Sequence, residues 1–215
     1  YRAKLAVFSR QLLPRGRRCL FVDLDTIILG DLGRIAALVN DTEDCFMMPP
    51  AGLGFGPLRK LIDRIRPGTH FPVGNSSLVA FHSDAKANIA EAFEKLHAAG
   101  TDVDKRHMII DDVFISWHAR NGIKGIPKHL AASFRREFMA RTRIFLMLRK
   151  AIPSRGKRRE GLIAVTLNGM VAKPEHLVTL ADGSLIRDSH GRIGVWSDAF
   201  MGPARQRIVA SCQRI

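Results

Sequence analysis

Two aspartates one residue apart interrupt the apolar stretch Cys19 to Leu32, CLFVDLDTIILGDL. Burying a lone carboxylate costs several kcal/mol, and two held a few ångströms apart repel as well. A divalent cation removes both penalties. Mg²⁺ and Mn²⁺ prefer hard oxygen ligands, take one or two protein carboxylates, and fill the rest of their shell with water and substrate phosphates. Asp23 and Asp25 are therefore candidate metal ligands. The other reading, in which Asp23 caps a turn and Asp25 is solvated, suits an isolated D-x-D equally well. The flanks favour the first reading, because Thr26 to Leu29 continue the apolar run and Gly30-Asp31-Leu32 offers a turn only afterwards.

Three further segments pair chemistry with turns. In Phe71 to Phe81, FPVGNSSLVAF, a Gly74-Asn75-Ser76-Ser77 turn feeds the apolar strand Leu78 to Phe81. In Met108 to Ile126, MIIDDVFISWHARNGIKGI, Asp111 and Asp112 precede a helix ending at Gly122, and Asp112 is a plausible N-cap. In Leu162 to Pro174, LIAVTLNGMVAKP, a strand and turn present Asn168 and Lys173, with His176 close behind. Pro49 to Pro57, PPAGLGFGP, is glycine- and proline-rich loop; no helix with phosphate-loop spacing follows it.

The elements that must position these groups alternate. Cys19 to Val22 reads as a buried strand of a parallel sheet, which delivers Asp23 and Asp25 to its carboxyl end, where ligands bind in open α/β sheets. A helix is expected before Pro14, another over Leu32 to Val39, a short strand at Cys45 to Met48, and a basic helix over Leu58 to Ile65. Asp84 to Ala99 places Ile89, Ala92, Phe93 and Leu96 on one helical face, stopped by Gly100. Lys128 to Lys150 reads as a helix with apolar and cationic faces, followed by a mobile basic loop, Ser154 to Arg159. From Leu177 onward, tight turns at Asp182-Gly183 and His190-Gly191 suggest β-structure. Pro203 to Ile215 reads as a basic tail.

The 215 residues suffice for a good core, and 46% hydrophobic with 25% charged content excludes a disordered chain. Cys19, Cys45 and Cys212 form no C-x-x-C pair, so neither zinc site nor disulfide framework is suggested and a reducing compartment fits. No apolar run approaches the ~20 residues that span a bilayer. The net charge of +14 is concentrated: between Arg135 and Arg159 stand ten Lys or Arg and one acid, Glu137. Such asymmetry points to an anionic partner.

FVDLDTIILGDL resembles the D-x-D segment of nucleotide-sugar-dependent glycosyltransferases of the GT-A fold, in the bacterial galactosyltransferase and glycogenin-like group. FPVGNSSLVAF resembles the N-S-G strand of the same enzymes, with Ser77 in place of glycine. The Asp111-Asp112 helix resembles their D-D-v-w element, and Asn168-Gly169 with Lys173-Pro174 resembles the H-G...K-P segment of the retaining branch, with asparagine in place of histidine. The resemblance implies an α/β fold: a GT-A-like, Rossmann-like mixed sheet flanked by helices, with a basic helix and a β-rich C-terminal part. Residues 1–133 would be the catalytic core, 134–160 the basic helix and loop, and 161–215 a segment completing the core. Only 22 residues precede Asp23. A GT-A domain normally carries a base-binding βαβ half there, so the chain is expected to be N-terminally truncated.

The same resemblance implies the roles. Asp25 would ligate Mn²⁺ or Mg²⁺, Asp23 would contact the ribose or the metal, and Asn168 would be a third ligand for which His176 competes. Asn75 and Ser76 would contact the donor sugar and Lys173 its diphosphate. Asp112, with Asp111 in reserve, would face the acceptor hydroxyl as general base. The partners would be a nucleotide-sugar donor and a hydroxyl acceptor, glycan or glycolipid. The basic helix adds an anionic membrane surface, placing a cytoplasmic protein peripherally on the inner face of the membrane. Two other functions compete. A haloacid-dehalogenase-type phosphohydrolase would use Asp23 as nucleophile and Asp25 as acid/base, but that family places threonine two residues after the second aspartate, and here Thr26 follows at once. A non-catalytic basic module binding membrane or nucleic acid is permitted by charge, but with one tyrosine and no stacking platform nucleic acid is not expected.

Overall fold

The computed structural model describes residues 2–49, 73–86, 88–99, 110–167, 170 and 173–213. The glycine-rich loop from residue 50 onward, the helix expected at 58–65 and the Asn168-Gly169 turn lie outside them. The chain forms two compact units, one of Tyr1–Val22 with Gly33–Ile126 and one of Asp23–Leu32 with Pro127–Ile215.

The first unit begins with α1 (Arg2–Ala6), five residues long where a helix reaching Pro14 is expected, and β1 (Arg18–Val22). The chain then enters the second unit for β2 (Thr26–Ile28) and returns through α2 (Gly33–Ala36), β3 (Cys45–Met48) and β4 (Asn75–His82). Helices α3 (Ser83–Lys86) and α4 (Ile89–Ala99) share the stretch expected to be one helix, and α5 (Asp111–His118) leads to β5 (Ile123–Gly125). Among the described residues the sheet runs β1-β4-β3-β5, antiparallel except for the β3–β5 pair. This corrects the reading of β1 as a buried parallel strand: it is antiparallel to β4, lies at the described edge, and is only partly buried. The central position belongs to β4, whose six inner residues are all buried. A strand covered on both faces is a continuous apolar run, and Leu78-Val79-Ala80-Phe81 has that character.

Around this sheet Leu5, Phe8, Met47, Val79, Phe81, Phe93 and Phe114 form the core. Phe8 packs on Phe81 in a tilted arrangement with centroids 4.8 Å apart, and Phe93 meets Phe114 edge-on at 5.2 Å. Burial of each such ring is worth about 1.5–3 kcal/mol. The turn from α5 into β5 requires Gly122, where a Cβ would come 1.8 Å from the Glu43 carbonyl oxygen. That close approach lets the Cys45 N–H reach the Gly122 carbonyl at 3.0 Å.

The second unit is built on β2, β6 (Ala131–Ser133) and β7 (Ala164–Thr166), in the order β2-β7-β6. Where one helix is expected over Lys128 to Lys150, there are β6, α6 (Phe134–Phe138) and α7 (Arg143–Lys150). The break has a backbone cause. Ala140 and Ile193 exchange both N–H···O bonds at 2.8 Å, and the Thr142 hydroxyl then accepts the Phe145 N–H to cap α7. The basic loop expected at Ser154 to Arg159 is instead α8 (Pro153–Glu160), opened by a proline whose φ suits the first helical position. After α9 (Pro174–Leu177) comes a hairpin of β8 (Ser184–Arg187) and β9 (Ile193–Trp196). Then α10 (Asp198–Met201) and α11 (Pro203–Cys212) form a helical end where a tail is expected. The 161–215 segment thus carries helices as well as strands.

Phe134, Phe138, Met139, Val165, Leu177 and Trp196 belong to this unit's core. Buried charge is paired. Glu137 bonds Arg159 at 2.9 Å and also Arg158, while Arg159 donates to the Phe200 carbonyl, tying α6, α8 and α10 together. Asp188, its side chain fully buried, accepts from Arg135 at 2.7 Å and from the N–H groups of His190 and Arg192. Burial works against its ionisation, but those donors and the Arg135 charge prevail and hold its carboxyl below the ordinary range.

Candidate functional site

The D-x-D segment follows β1 as a tight turn. The Thr26 N–H donates to the Asp23 carbonyl at 3.0 Å, and Asp23 Oδ1 accepts the Leu24 N–H at 3.0 Å. Leu24 between the two acids is fully exposed, whereas both aspartates are partly buried and Asp25 Oδ1 is shielded from solvent. The Leu167 N–H donates to the Asp25 carbonyl at 2.8 Å, so the end of β7 lies against the turn.

Helix α11 fixes β2 from the other side. Arg207 donates to the carbonyls of Leu29 at 2.9 Å and Leu162 at 2.5 Å, and Ser211 donates to the Ile28 carbonyl at 2.6 Å. The contacts to Leu29 and Ile28 span more than 170 residues of sequence. No local pattern announces them. Lys173 is exposed at the start of α9, and His176 is exposed within it.

Among the described residues no three His, Cys, Asp or Glu side chains group as a metal site. The donor set here is two carboxylates on one turn beside a solvent-facing residue. That chemistry suits a hard cation that keeps waters and draws its other ligands from substrate phosphates. It does not suit an all-protein cage.

The first unit gathers the remaining candidates. At the start of β4, Asn75 and Ser76 face the first turn of α5. Asp112 Oδ1 accepts the Ser76 N–H at 2.6 Å and the Ser76 hydroxyl at 2.5 Å; Asp112 Oδ2 lies 3.4 Å from Asn75 Nδ2. Asn75 Oδ1 in turn accepts the Ser77 N–H at 3.1 Å. Asn75 and Ser76 are therefore strand residues whose side chains hold Asp112, where the sequence suggests a turn.

Asp112 does not cap the helix. The N-cap is Ile110, which makes no side-chain cap bond. Asp111 Oδ2 pairs with Lys4 Nζ at 2.8 Å and also accepts the Ser76 hydroxyl at 3.2 Å. Burial pushes its carboxyl up, but the Lys4 charge, the Asp112 N–H and the Ser76 hydroxyl outweigh that and keep it below its ordinary value. Two partners escape sequence reasoning. Lys4 is one, and the other is Ser116, buried one helical turn beyond Asp112. Its hydroxyl donates to the Asp112 carbonyl at 2.6 Å and accepts the Gly74 N–H at 2.9 Å. The i, i+4 spacing of Asp112 and Ser116 is the one signal that could have disclosed it. At Gly74 a Cβ would come 2.5 Å from Met47 Cβ, so the strand can enter the cluster here only as glycine.

No family model matches the chain, and no curated protein sequence matches it. Among solved structures the fold is similar to that of the WbbM bifunctional glycosyltransferase in its apo form, with a TM-score of 0.51 at 12% sequence identity. The similarity covers 97% of this chain and 36% of that one. The chain therefore has a mixed α/β fold like that of a glycosyltransferase, and spans about a third of that neighbour's length.

Proposed function

We propose that this chain belongs to a metal-dependent glycosyltransferase of GT-A type, which moves a sugar from a nucleoside-diphosphate donor to a hydroxyl acceptor. The observation that carries the reading is the Asp23–Asp25 turn: two hard carboxylates flank a fully exposed residue directly after a strand, in a fold similar to a glycosyltransferase. Asp25 and Asp23 would hold Mn²⁺ or Mg²⁺, with Asn168 as a further oxygen ligand and Lys173 toward the diphosphate. When bound, the ion would neutralise charge developing on the leaving diphosphate.

The general base is assigned to Asp112 in preference to Asp111. Asp111 is committed to Lys4 and its basicity is lowered by that charge. In Asp112 the two oxygens differ. Oδ1 is engaged by two short bonds, while Oδ2 has only the longer contact from Asn75 among these and would be the oxygen that takes a proton from an acceptor hydroxyl. Asn75 and Ser76 then support catalysis by orienting Asp112 as well as by any contact with the sugar.

The test is a panel of nucleoside-diphosphate sugars incubated with the protein and either Mn²⁺, Mg²⁺ or chelator. Metal-dependent release of nucleoside diphosphate from at least one donor is expected, and Asp25→Asn should abolish it. Equal release with and without metal, or by the variant, would remove the metal role. Trapping of an aspartyl-phosphate at Asp23 would transfer the assignment to a phosphohydrolase.

A further inference from the structure

Helix α7 is amphipathic in the reverse of the usual sense. A helix on a protein surface normally turns its apolar arc inward and its charges outward. Here Leu146 and the partly buried Arg149 face the protein, while Ile144, Phe145, Met147 and Leu148 are 73%, 59%, 59% and 57% exposed. At about 100° per residue these four side chains fill an arc of roughly 160° directed at solvent. The cations border it. On the same projection Arg143 and Lys150 flank the arc on one side and Arg149 on the other. Ile152, 42% exposed, extends the apolar surface beyond the helix end.

The arc is not a frayed end. Thr142 caps the helix, Leu146 anchors it, and Arg149 donates to the carbonyls of Arg136 and Met139. The neighbouring apolar residues of the same basic stretch behave in the ordinary way, since Phe134, Phe138 and Met139 are all buried. The surface is thus confined to α7 and Ile152.

Charge names the occupant. From Arg141 to Arg159 there are eight Lys or Arg and no Asp or Glu, and of the eight Arg158 and Arg159 are paired with Glu137. Mutual repulsion among these groups is felt: burial, together with Arg149, Arg158 and Arg159, makes the Arg155 guanidinium less basic than usual, despite Glu137. A second copy of the same face would bring like charges together, which opposes self-association. A bilayer with anionic headgroups satisfies both features, taking the apolar arc at the acyl boundary and the cations at the phosphates. We propose that α7, flanked by the cations of α7 and α8, docks the protein on an anionic lipid bilayer. Among the described residues no helix is long and apolar enough to cross a membrane.

The experiment is vesicle flotation of the full chain, with phosphatidylcholine alone against phosphatidylcholine containing phosphatidylglycerol, in a salt series. Flotation is expected with the anionic vesicles only, weakening as salt rises. Phe145→Ser with Leu148→Ser should reduce partitioning at least about tenfold. Arg143→Gln with Lys150→Gln should reduce it less and flatten the salt dependence. All four positions are exposed, so unchanged thermal unfolding is the control for folding. Failure of the unaltered chain to float, or equal flotation of the Phe145 and Leu148 variant, would overturn the proposal. A concentration-dependent dimer that this variant loses, without vesicle binding, would assign the face to a second copy instead. None of these readouts depends on sugar transfer.

Discussion

Asp111 and Asp112 are surrounded by donors that the fold itself supplies, from Lys4 on α1, from Asn75 and Ser76 on β4 and from the helix backbone. In the Asp23–Asp25 turn the bonds from Thr26 and Leu167 fall on main-chain carbonyls, Asp23 Oδ1 accepts the Leu24 N–H of the turn itself, and the Leu24 side chain is out in solvent. Both pairs follow apolar residues and look alike as strings of letters. They differ in the elements that surround them. Protein donors hold the first pair, so removing an acid should register in stability, in addition to any loss of the base proposed at Asp112. The second pair lies on a turn whose tip is in solvent, and under the proposed metal-binding role removing an acid should register in turnover.

The largest contrast is expected at Asp25. Asp25→Asn should lower metal-dependent donor cleavage by on the order of a hundredfold or more, while urea unfolding shifts by less than it does for Asp112→Ala. A variant that turns over normally but unfolds early would reverse the comparison. Asp112→Ala should lose about 1–3 kcal/mol in the same unfolding measurement, because the fully buried Ser76 is left with an N–H that has no acceptor. If its stability matched the unaltered protein, the cluster would not be part of the fold's support.

A smaller effect concerns pH. Asp111 has a carboxyl held below its usual 3.8, so its stabilising contribution is complete above that value and fades as pH falls through the folded-state pKa. Lys4→Met should move the Asp111 carboxyl titration upward in NMR and shrink the stability difference between neutral and acid solution, by no more than about 1 kcal/mol for this partly exposed pair. An unmoved titration would mean that Lys4 is not the cause. The smallest change is expected at the tip of the turn. Leu24→Ser should alter stability by less than about 0.5 kcal/mol, since the side chain is fully exposed; a larger loss would show that the turn is packed rather than open.

Short-range features were legible before any coordinates. The strands at Cys45 to Met48 and Leu78 to Phe81 announce themselves as apolar runs, and the acids after β1 announce a break in one. Helices lost definition wherever a long-range bond competed with local preference. Lys128 to Lys150 has helical spacing throughout, yet one backbone exchange between Ala140 and Ile193 divides it. The basic run Ser154 to Arg159 has the composition of a loop, and became a helix because Arg159 is drawn into the interior by Glu137 and the Phe200 carbonyl. The partners of the candidate site were illegible for the same reason, since Lys4 and Arg207 gain meaning only from residues distant in the chain.

The sequence by itself determined which groups could do chemistry: two carboxylates that break an apolar run, a second acidic pair, and a concentrated positive charge. Spacing and composition suffice for that, because burial cost and charge are properties of residue types. Tertiary structure alone decided how each group is used. It turned β1 to the described edge of an antiparallel arrangement, spent Asn75 and Ser76 on holding Asp112, and buried Phe134 and Phe138 while leaving Phe145 and Leu148 exposed in the same basic stretch. Residue type sets what a contact is worth; the contacts themselves are made only when distant segments pack.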